Sequence, residues 1–315
     1  MRRAFFIILG VVVVGTVAIC ADFAHDMAAA RARLTGRSEK VETTFGTLEY
    51  ALVGQGEPML IVHGAGGGFD QGIDMTGALA GRGYRLIAPS RFGYLRSSMP
   101  ANLTTAMQAD AYAQLLDHLG IDKVVVVGIS AGAWSSLQFA IRHPERVRAL
   151  ILLVPANYLP AGTSMRGGVV ARAIFKSDFI AWAAVKLMPV TPGGMTRMML
   201  GTEPAVLRAA ASSEKARVRQ VIEHLLPVSA RTEGMQFDVK TATTHEPYAI
   251  GNITCPVLTI SAEDDIFGTA SQARTLAAGV PNGAVIVFPS GGHALVGHYD
   301  DALRQSLSFL QAIRP

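Results

Sequence analysis

Cysteine is almost missing from this chain: 315 residues carry only Cys20 and Cys255. One sits in an apolar N-terminal run and the other just before a later apolar stretch. A disulfide between them is not expected, neither has metal-ligand spacing, and the redox compartment stays open. Charge is sparse as well. Charged residues make up 17% of the chain and hydrophobic ones 50%, which is enough to bury a sizeable core. There is no basic stripe interleaved with aromatics, so nucleic acid is not an expected partner. The 32 glycines form no low-complexity tract, and no solenoid-like repeat is present. The length fits one domain carrying an insertion.

The formal charge of +4 is unevenly placed. Up to residue 40 there are six basic residues (Arg2, Arg3, Arg31, Arg33, Arg37, Lys40) against Asp22, Asp26 and Glu39, so most of the excess lies at this end. Arg2 and Arg3 precede an uncharged run over residues 4–21. At ~1.5 Å per residue such a run spans roughly 27 Å, the thickness of a bilayer core. Its exit, Val17-Ala18-Ile19-Cys20-Ala21, is a poor small-x-small cleavage site. An uncleaved single-pass anchor at residues 1–21 is therefore the favoured reading, with a cleaved signal as the alternative. The leading arginines place the N-terminus inside and the rest on the extracytoplasmic side, although Arg31, Arg33 and Arg37 weaken that asymmetry. Residues 22–40 read as a helical or loose stalk.

From residue 41 short apolar runs alternate with amphipathic stretches. Strands are expected at 41–45, 48–53, 58–62, 84–88, 123–127, 147–154, 256–261 and 284–288, and helices at 105–119, 131–142, 269–278 and 300–313. The run of four valines at 124–127 reads as a strand buried on both faces. This alternation implies an α/β fold, a mostly parallel central sheet with helices on both faces. Residues 155–250 break the rhythm, with helical pieces at 169–175, 179–187 and 205–224 and no convincing buried strand. The expected layout is a core at 41–154 and 251–315 with a helical insertion at 155–250.

Chemistry concentrates at strand ends. Gly128-Ile129-Ser130-Ala131-Gly132 joins the valine strand to the next helix, the context of a G-x-S-x-G elbow that pushes a serine hydroxyl out of the sheet edge. A serine needs a base within hydrogen-bond reach. His293, in Ser290-Gly291-Gly292-His293, follows the last strand and is the candidate, with His298 as competitor. Glu263-Asp264-Asp265 follows the penultimate strand and offers the orienting carboxylate. Oxyanion donors are expected from the Ala131 N–H and from Ala65 or Gly66 in His63-Gly64-Ala65-Gly66-Gly67-Gly68. That glycine-rich loop lacks both the Gly-Lys-Ser/Thr ending and the G-x-G-x-x-G spacing of phosphate-cradling loops.

These residues, in the order His-Gly loop, elbow, acid, histidine, resemble the α/β-hydrolase fold family over roughly residues 41–314. The loop Pro89-Ser90-Arg91-Phe92-Gly93-Tyr94 with Ser97-Ser98 is similar to the one after that family's fourth strand. The resemblance implies a triad of Ser130, an aspartate near 265 and His293, and a cap at 155–250. It also implies that the acid stands three positions after a small strand-end residue. Ala262 in that place selects Asp265, and a shift of one selects Asp264. Serine at the elbow argues against the family's epoxide hydrolases and haloalkane dehalogenases, and Gly-Ile-Ser-Ala-Gly against its proline iminopeptidases. The expected activity is hydrolysis of carboxylic esters with apolar acyl groups, without metal or organic cofactor. Carbon–carbon hydrolysis and cofactor-free perhydrolysis use the same triad and stay open as alternatives; a noncatalytic ligand-binding protein is the rival outside enzymes. Met165, Met188, Met195, Met198, Met199, Met235, Phe175, Phe179 and Trp182 in the insertion suggest either helix packing or a deformable apolar pocket.

Overall fold

A computed structural model describes residues 2–156, 174–188, 196–197, 200–244 and 248–313. Eight strands form one sheet: β1 (Glu39–Thr43), β2 (Gly46–Val53), β3 (Glu57–Val62), β4 (Tyr84–Pro89), β5 (Val124–Ile129), β6 (Val147–Leu153), β7 (Val257–Ala262) and β8 (Gly283–Phe288). Their order is β1-β2-β4-β3-β5-β6-β7-β8. The β1–β2 and β2–β4 pairs are antiparallel and the rest parallel.

The valine run shows why the sheet must be covered twice. Val124 and Val126 enter the core on one face, and Val125, Val127 and Ile129 the core on the other. Successive strand residues point to opposite faces, and each buried valine contributes about 1.5 kcal/mol or more. Helices α3 (Thr105–His118) and α4 (Gly132–Arg142) close the first face. Helix α2 (Phe69–Thr76) lies on the second through Phe69, and α10 (Tyr299–Ala312) through Ala302, Leu303 and Leu310. Between β6 and β7 the described elements are helical: α5 (Asp178–Leu187), α6 (Pro204–Ala209), α7 (Ser212–Glu223) and α8 (Thr232–Thr244); α9 (Thr269–Gly279) then joins β7 to β8.

Helix α2 and helix α8 were not among the expected elements. The single helix expected at 205–224 is two, because Ala210 and Ala211 are extended between α6 and α7. Helix α7 is held separately: Arg217 donates to the Ala294 carbonyl (2.8 Å), and Glu214 accepts from the Gly297 N–H (3.0 Å). The helical piece at 169–175 lies mostly outside the described residues, as do Met165, Met195, Met198 and Met199.

The N-terminal segment departs most from expectation. Helix α1 runs unbroken over Arg2–Leu34, without a joint near residue 21, and β1 already begins at Glu39. Residues 22–34 contain no glycine or proline and five alanines, so nothing interrupts the helix until Thr35-Gly36. Its second half is docked. Met27 is buried among Trp182, Leu226 and Val228. Phe23 meets Phe179 and Trp182 edge to face at 5.3 and 5.5 Å. Asp26 accepts from the Trp182 indole (2.9 Å) and pairs with Lys186 (2.7 Å).

Candidate active site

The elbow is built by close approach. Ser130 has φ +50°, a left-handed conformation that is strained outside glycine. A side chain at Gly132 would place its Cβ 2.4 Å from the Val62 carbonyl, and one at Gly128 would meet Ser136 Oγ at 2.6 Å. Glycine at both flanks therefore lets α4 start against β3. The turn is fixed by Ser130 N–H to Leu153 O (2.9 Å) and by Ala133 N–H to Ser130 O (2.9 Å).

The structure brings Ser130, His293 and Asp265 together in one hydrogen-bonded line. Ser130 Oγ lies 2.9 Å from His293 Nε2, and His293 Nδ1 lies 2.7 Å from Asp265 Oδ2. Because an ionised carboxylate only accepts, Nδ1 carries the proton and Nε2 faces the serine as acceptor. Asp265 is 5% exposed. Burial opposes its ionisation, but His293, the Thr269 hydroxyl and the Phe267 N–H outweigh that and hold the carboxyl below its ordinary range. Thr269, in turn, lies 2.7 Å from Ser261 Oγ. Both hydroxyls are fully buried, and neither was singled out from sequence, where they read as ordinary strand-end and helix-start residues.

Asp264 takes a different position. It accepts from the N–H groups of Gly291 (3.2 Å) and Gly292 (2.8 Å), bracing the loop that carries His293 instead of pointing into solvent. His298 stacks on Phe288 with ring centroids 4.6 Å apart, away from Ser130.

The glycine-rich loop lies beside the serine: a Cβ on Gly64 would sit 3.1 Å from Ser130 Cβ. Its N–H groups can be accounted for one by one. Gly64 donates to Gln71 (2.9 Å), Gly66 to the Tyr94 hydroxyl (3.4 Å) and Phe69 to Ser90 Oγ (3.1 Å), while Gly67 turns back to Gly64 O (3.2 Å). Among the described residues no acceptor meets the N–H of Ala65, of Gly68 or of Ala131; of these, Ala65 and Ala131 are the two expected oxyanion donors. Leu225 and Met235, from the inserted segment, lie over Gly66.

Two buried ion pairs flank this loop. Arg91 grips Asp238 through both terminal nitrogens (2.6 and 2.7 Å), and Tyr94 donates to the same carboxylate. Asp70 pairs with Arg231 (2.8 Å) and with Arg33 of α1 (2.7 Å). Asp70 and Arg231 are fully buried. Although burial opposes its charge, the two arginines hold the Asp70 carboxyl far below the usual carboxylate range. His63, at the head of the loop, is fully buried, and burial first, then Arg91, push its pKa well below the ordinary histidine value. Among the described residues no group of three histidine, cysteine, aspartate or glutamate side chains is placed to hold a metal.

A parallel sheet with a serine elbow, a histidine after its last strand and an aspartate after its penultimate one defines a class of hydrolase. The family of the alpha/beta hydrolase fold matches residues 57–297, and this chain belongs to it. An uncharacterized hydrolase of Bacillus subtilis is 30% identical over 267 residues, 82% of this chain and 92% of that protein. The 2-hydroxy-6-oxo-6-phenylhexa-2,4-dienoate hydrolase of Burkholderia cepacia is 27% identical over 263 residues, 82% of this chain and 88% of that enzyme. Among solved structures, an alpha/beta hydrolase fold protein from Nakamurella multipartita superposes with TM-score 0.71 at 25% identity, over 87% of this chain and 99% of that one. A bacterial membrane phospholipase A shares the fold at TM-score 0.67 and 18% identity, over 100% of this chain and 99% of that one.

Proposed function

We propose that the chain is a serine hydrolase that cleaves carboxylic esters with apolar acyl groups through an acyl-enzyme. The observation that carries this reading is the unbroken line from Asp265 through His293 to Ser130. Ser130 Oγ attacks the ester carbonyl as His293 Nε2 takes its proton, and Asp265 stabilises the imidazolium that forms. The Ala131 and Ala65 N–H groups receive the oxyanion; Gly66 is the weaker candidate because its N–H faces Tyr94. His293 then protonates the departing alcohol, activates water and regenerates Ser130 as the acid leaves.

A neutral substrate is favoured by charge closure. Among the described residues the two buried arginines, Arg91 and Arg231, are each committed to a carboxylate. A dienoate of the kind named for the Burkholderia cepacia enzyme carries its own carboxylate and needs a cation to meet it. We further propose that α1 anchors the enzyme in a membrane, with the catalytic domain on the extracytoplasmic side. Its apolar window has a mean hydropathy of 2.8 and no buried residue, and Phe5, Phe6, Ile7 and Ile8 are all more than 60% exposed.

The test has two parts. A fluorophosphonate probe should label wild type and not Ser130→Ala. Among p-nitrophenyl esters, medium-chain acyl groups should be turned over better than acetate. Faster cleavage of a vinylogous diketone than of any ester would move the protein to the carbon–carbon hydrolases.

A further inference from the structure

We propose that helix α8 positions the oxyanion loop, with Arg231 holding Gly67 on one side and Asp238, acting through Tyr94, holding Gly66 on the other. This rests on the reading that Ala65 supplies an oxyanion donor.

The loop has little chemistry of its own to define its place. Residues 64–68 are four glycines and one alanine, so the backbone is unusually free to wander. Oxyanion stabilisation demands the opposite, a donor held at hydrogen-bond distance from where negative charge will develop. The restraint must come from outside. Arg231 Nη1 donates to the Gly67 carbonyl, and the same guanidinium spans both oxygens of Asp70 (3.1 and 2.8 Å). On the other side the Gly66 N–H reaches the Tyr94 hydroxyl, which donates to Asp238, itself clamped by Arg91. Ala65 is therefore followed directly by two residues tied to buried charges.

Both ties lead to one helix. Arg231 immediately precedes α8 and Asp238 lies seven residues on, two turns along the same face. Gly234, between them, sets how close that face comes: a Cβ there would lie 2.1 Å from the Tyr94 ring. The Gly234 N–H donates to Gly93 O (2.9 Å) and the Leu95 N–H to Ala230 O (2.6 Å). The helix is thus pressed onto the core in one register, and the loop inherits that register.

A purely structural clamp would show the same contacts, so the test must separate alignment from stability. Arg33 provides the internal control. It also binds Asp70, and it donates to the carbonyls of His224 and Leu226 (3.2 and 3.0 Å), but it touches no loop residue. Three variants of the full chain in detergent are compared using a p-nitrophenyl ester and an alkylboronic acid, whose Ser130 adduct carries an anionic tetrahedral centre. Tyr94→Phe keeps the ring and loses the hydroxyl; Arg231→Lys keeps the charge beside Asp70 and loses the fork. Each should lower kcat about tenfold, less than the ~100-fold or more expected when a donor is deleted outright. KM should stay within about twofold, and the boronate inhibition constant should rise by the same factor as kcat falls. Arg33→Ala should lower the melting temperature with kcat and boronate affinity unchanged. Should Arg231→Lys fail to fold, Tyr94→Phe decides alone. Wild-type kcat and boronate affinity in Tyr94→Phe would overturn the proposal, and so would a KM increase with unchanged kcat. Absence of ester hydrolysis or fluorophosphonate labelling in wild type would instead overturn the functional reading beneath it.

Discussion

His63 should make this protein lose stability in mild acid, before its carboxylates titrate. Its Nδ1 lies 2.7 Å from the Gly64 carbonyl, so Nδ1 is the donor, and its Nε2 accepts the Arg91 N–H at 2.9 Å. Both nitrogens are used by the neutral ring. A proton on Nε2 would break the second bond and set a cation beside the buried Arg91 guanidinium, which is why burial and that charge depress the pKa so far. In the unfolded chain the ring titrates near its ordinary value of about 6.5. The folded value is the lower one, so the contribution to stability is complete above about pH 6.5 and is lost as pH falls toward the depressed folded value. In that window each pH unit costs about 1.4 kcal/mol. Between pH 6.5 and 4.5 the loss reaches at most about 2.3 kcal/mol, because half the unfolded rings are still neutral at pH 6.5, which lowers the melting temperature by up to about 4 °C for a fold of this size. The assay is thermal unfolding at constant ionic strength across that range, in wild type and His63→Gln. Wild type should show the slope and the variant should lack most of it, whatever the variant's absolute stability. Calorimetry in buffers of different ionisation enthalpy should find about one extra proton taken up by wild type on unfolding near pH 5. A melting temperature flat within about 2 °C from pH 6.5 to 4.5, or a slope that survives in His63→Gln, would refute the reasoning.

Ser130→Ala should abolish ester hydrolysis while leaving the melting temperature within a few degrees of wild type; residual turnover above about one per cent would point to another nucleophile. Asp265→Asn should lower kcat by roughly three to four powers of ten, since the imidazole loses its tautomer and orientation. Asp264→Asn should cost about tenfold through the His293 loop, whose Gly291 and Gly292 N–H groups lose a charged acceptor. If kinetics rank those two aspartates the other way round, the assignment of the acid is wrong. Below about pH 4 a further fall in stability should follow from Asp70 and Asp265. Their depressed folded pKa values mean that their contributions are complete above that pH and lost beneath it. Deleting residues 2–21 should leave a soluble, active protein, whereas removing 1–38 should also uncover the Met27 pocket and destabilise the fold by about 2–5 kcal/mol. Equal melting temperatures for the two truncations would show that the docked half of α1 carries no stability.

The parallel core was legible because its strands are buried on both sides. Runs such as Val124–Val127 and the apolar stretch at 149–154 have no polar alternation, and Gly128 and Pro155 end them. The site was legible for a related reason: elbow, acid and histidine each sit at a strand end, where topology alone brings them to one edge. What could not be read depends on contacts across long sequence separations. Nothing local marks Asp238 as the partner of Arg91, 147 residues away, or Arg231 as the partner of Asp70, 161 residues away. Helix α2 was hidden by the glycines before it, and α8 by Gly234, which lowers helix propensity but is required beside Tyr94. Asp264 illustrates a subtler limit. Register pointed to its neighbour Asp265, which lies 2.7 Å from His293 Nδ1, but the contacts of the second carboxylate emerge only when Gly291 and Gly292 fold back over it.

Helix α1 had a signal that composition obscured. Phe23, Asp26, Met27, Ala30 and Arg33 recur at three- and four-residue intervals, the stripe of a helix packed along one side. Alanine and arginine fill the remaining positions and make the segment look like a solvated stalk. In the folded chain every member of that stripe meets the inserted helices or Asp70. A flexible linker would let the catalytic domain turn freely above an anchor. A continuous helix bolted through about three turns does not: a membrane that took up residues 4–21, as proposed, would also fix the orientation of the insertion packed against Phe23, Asp26 and Met27.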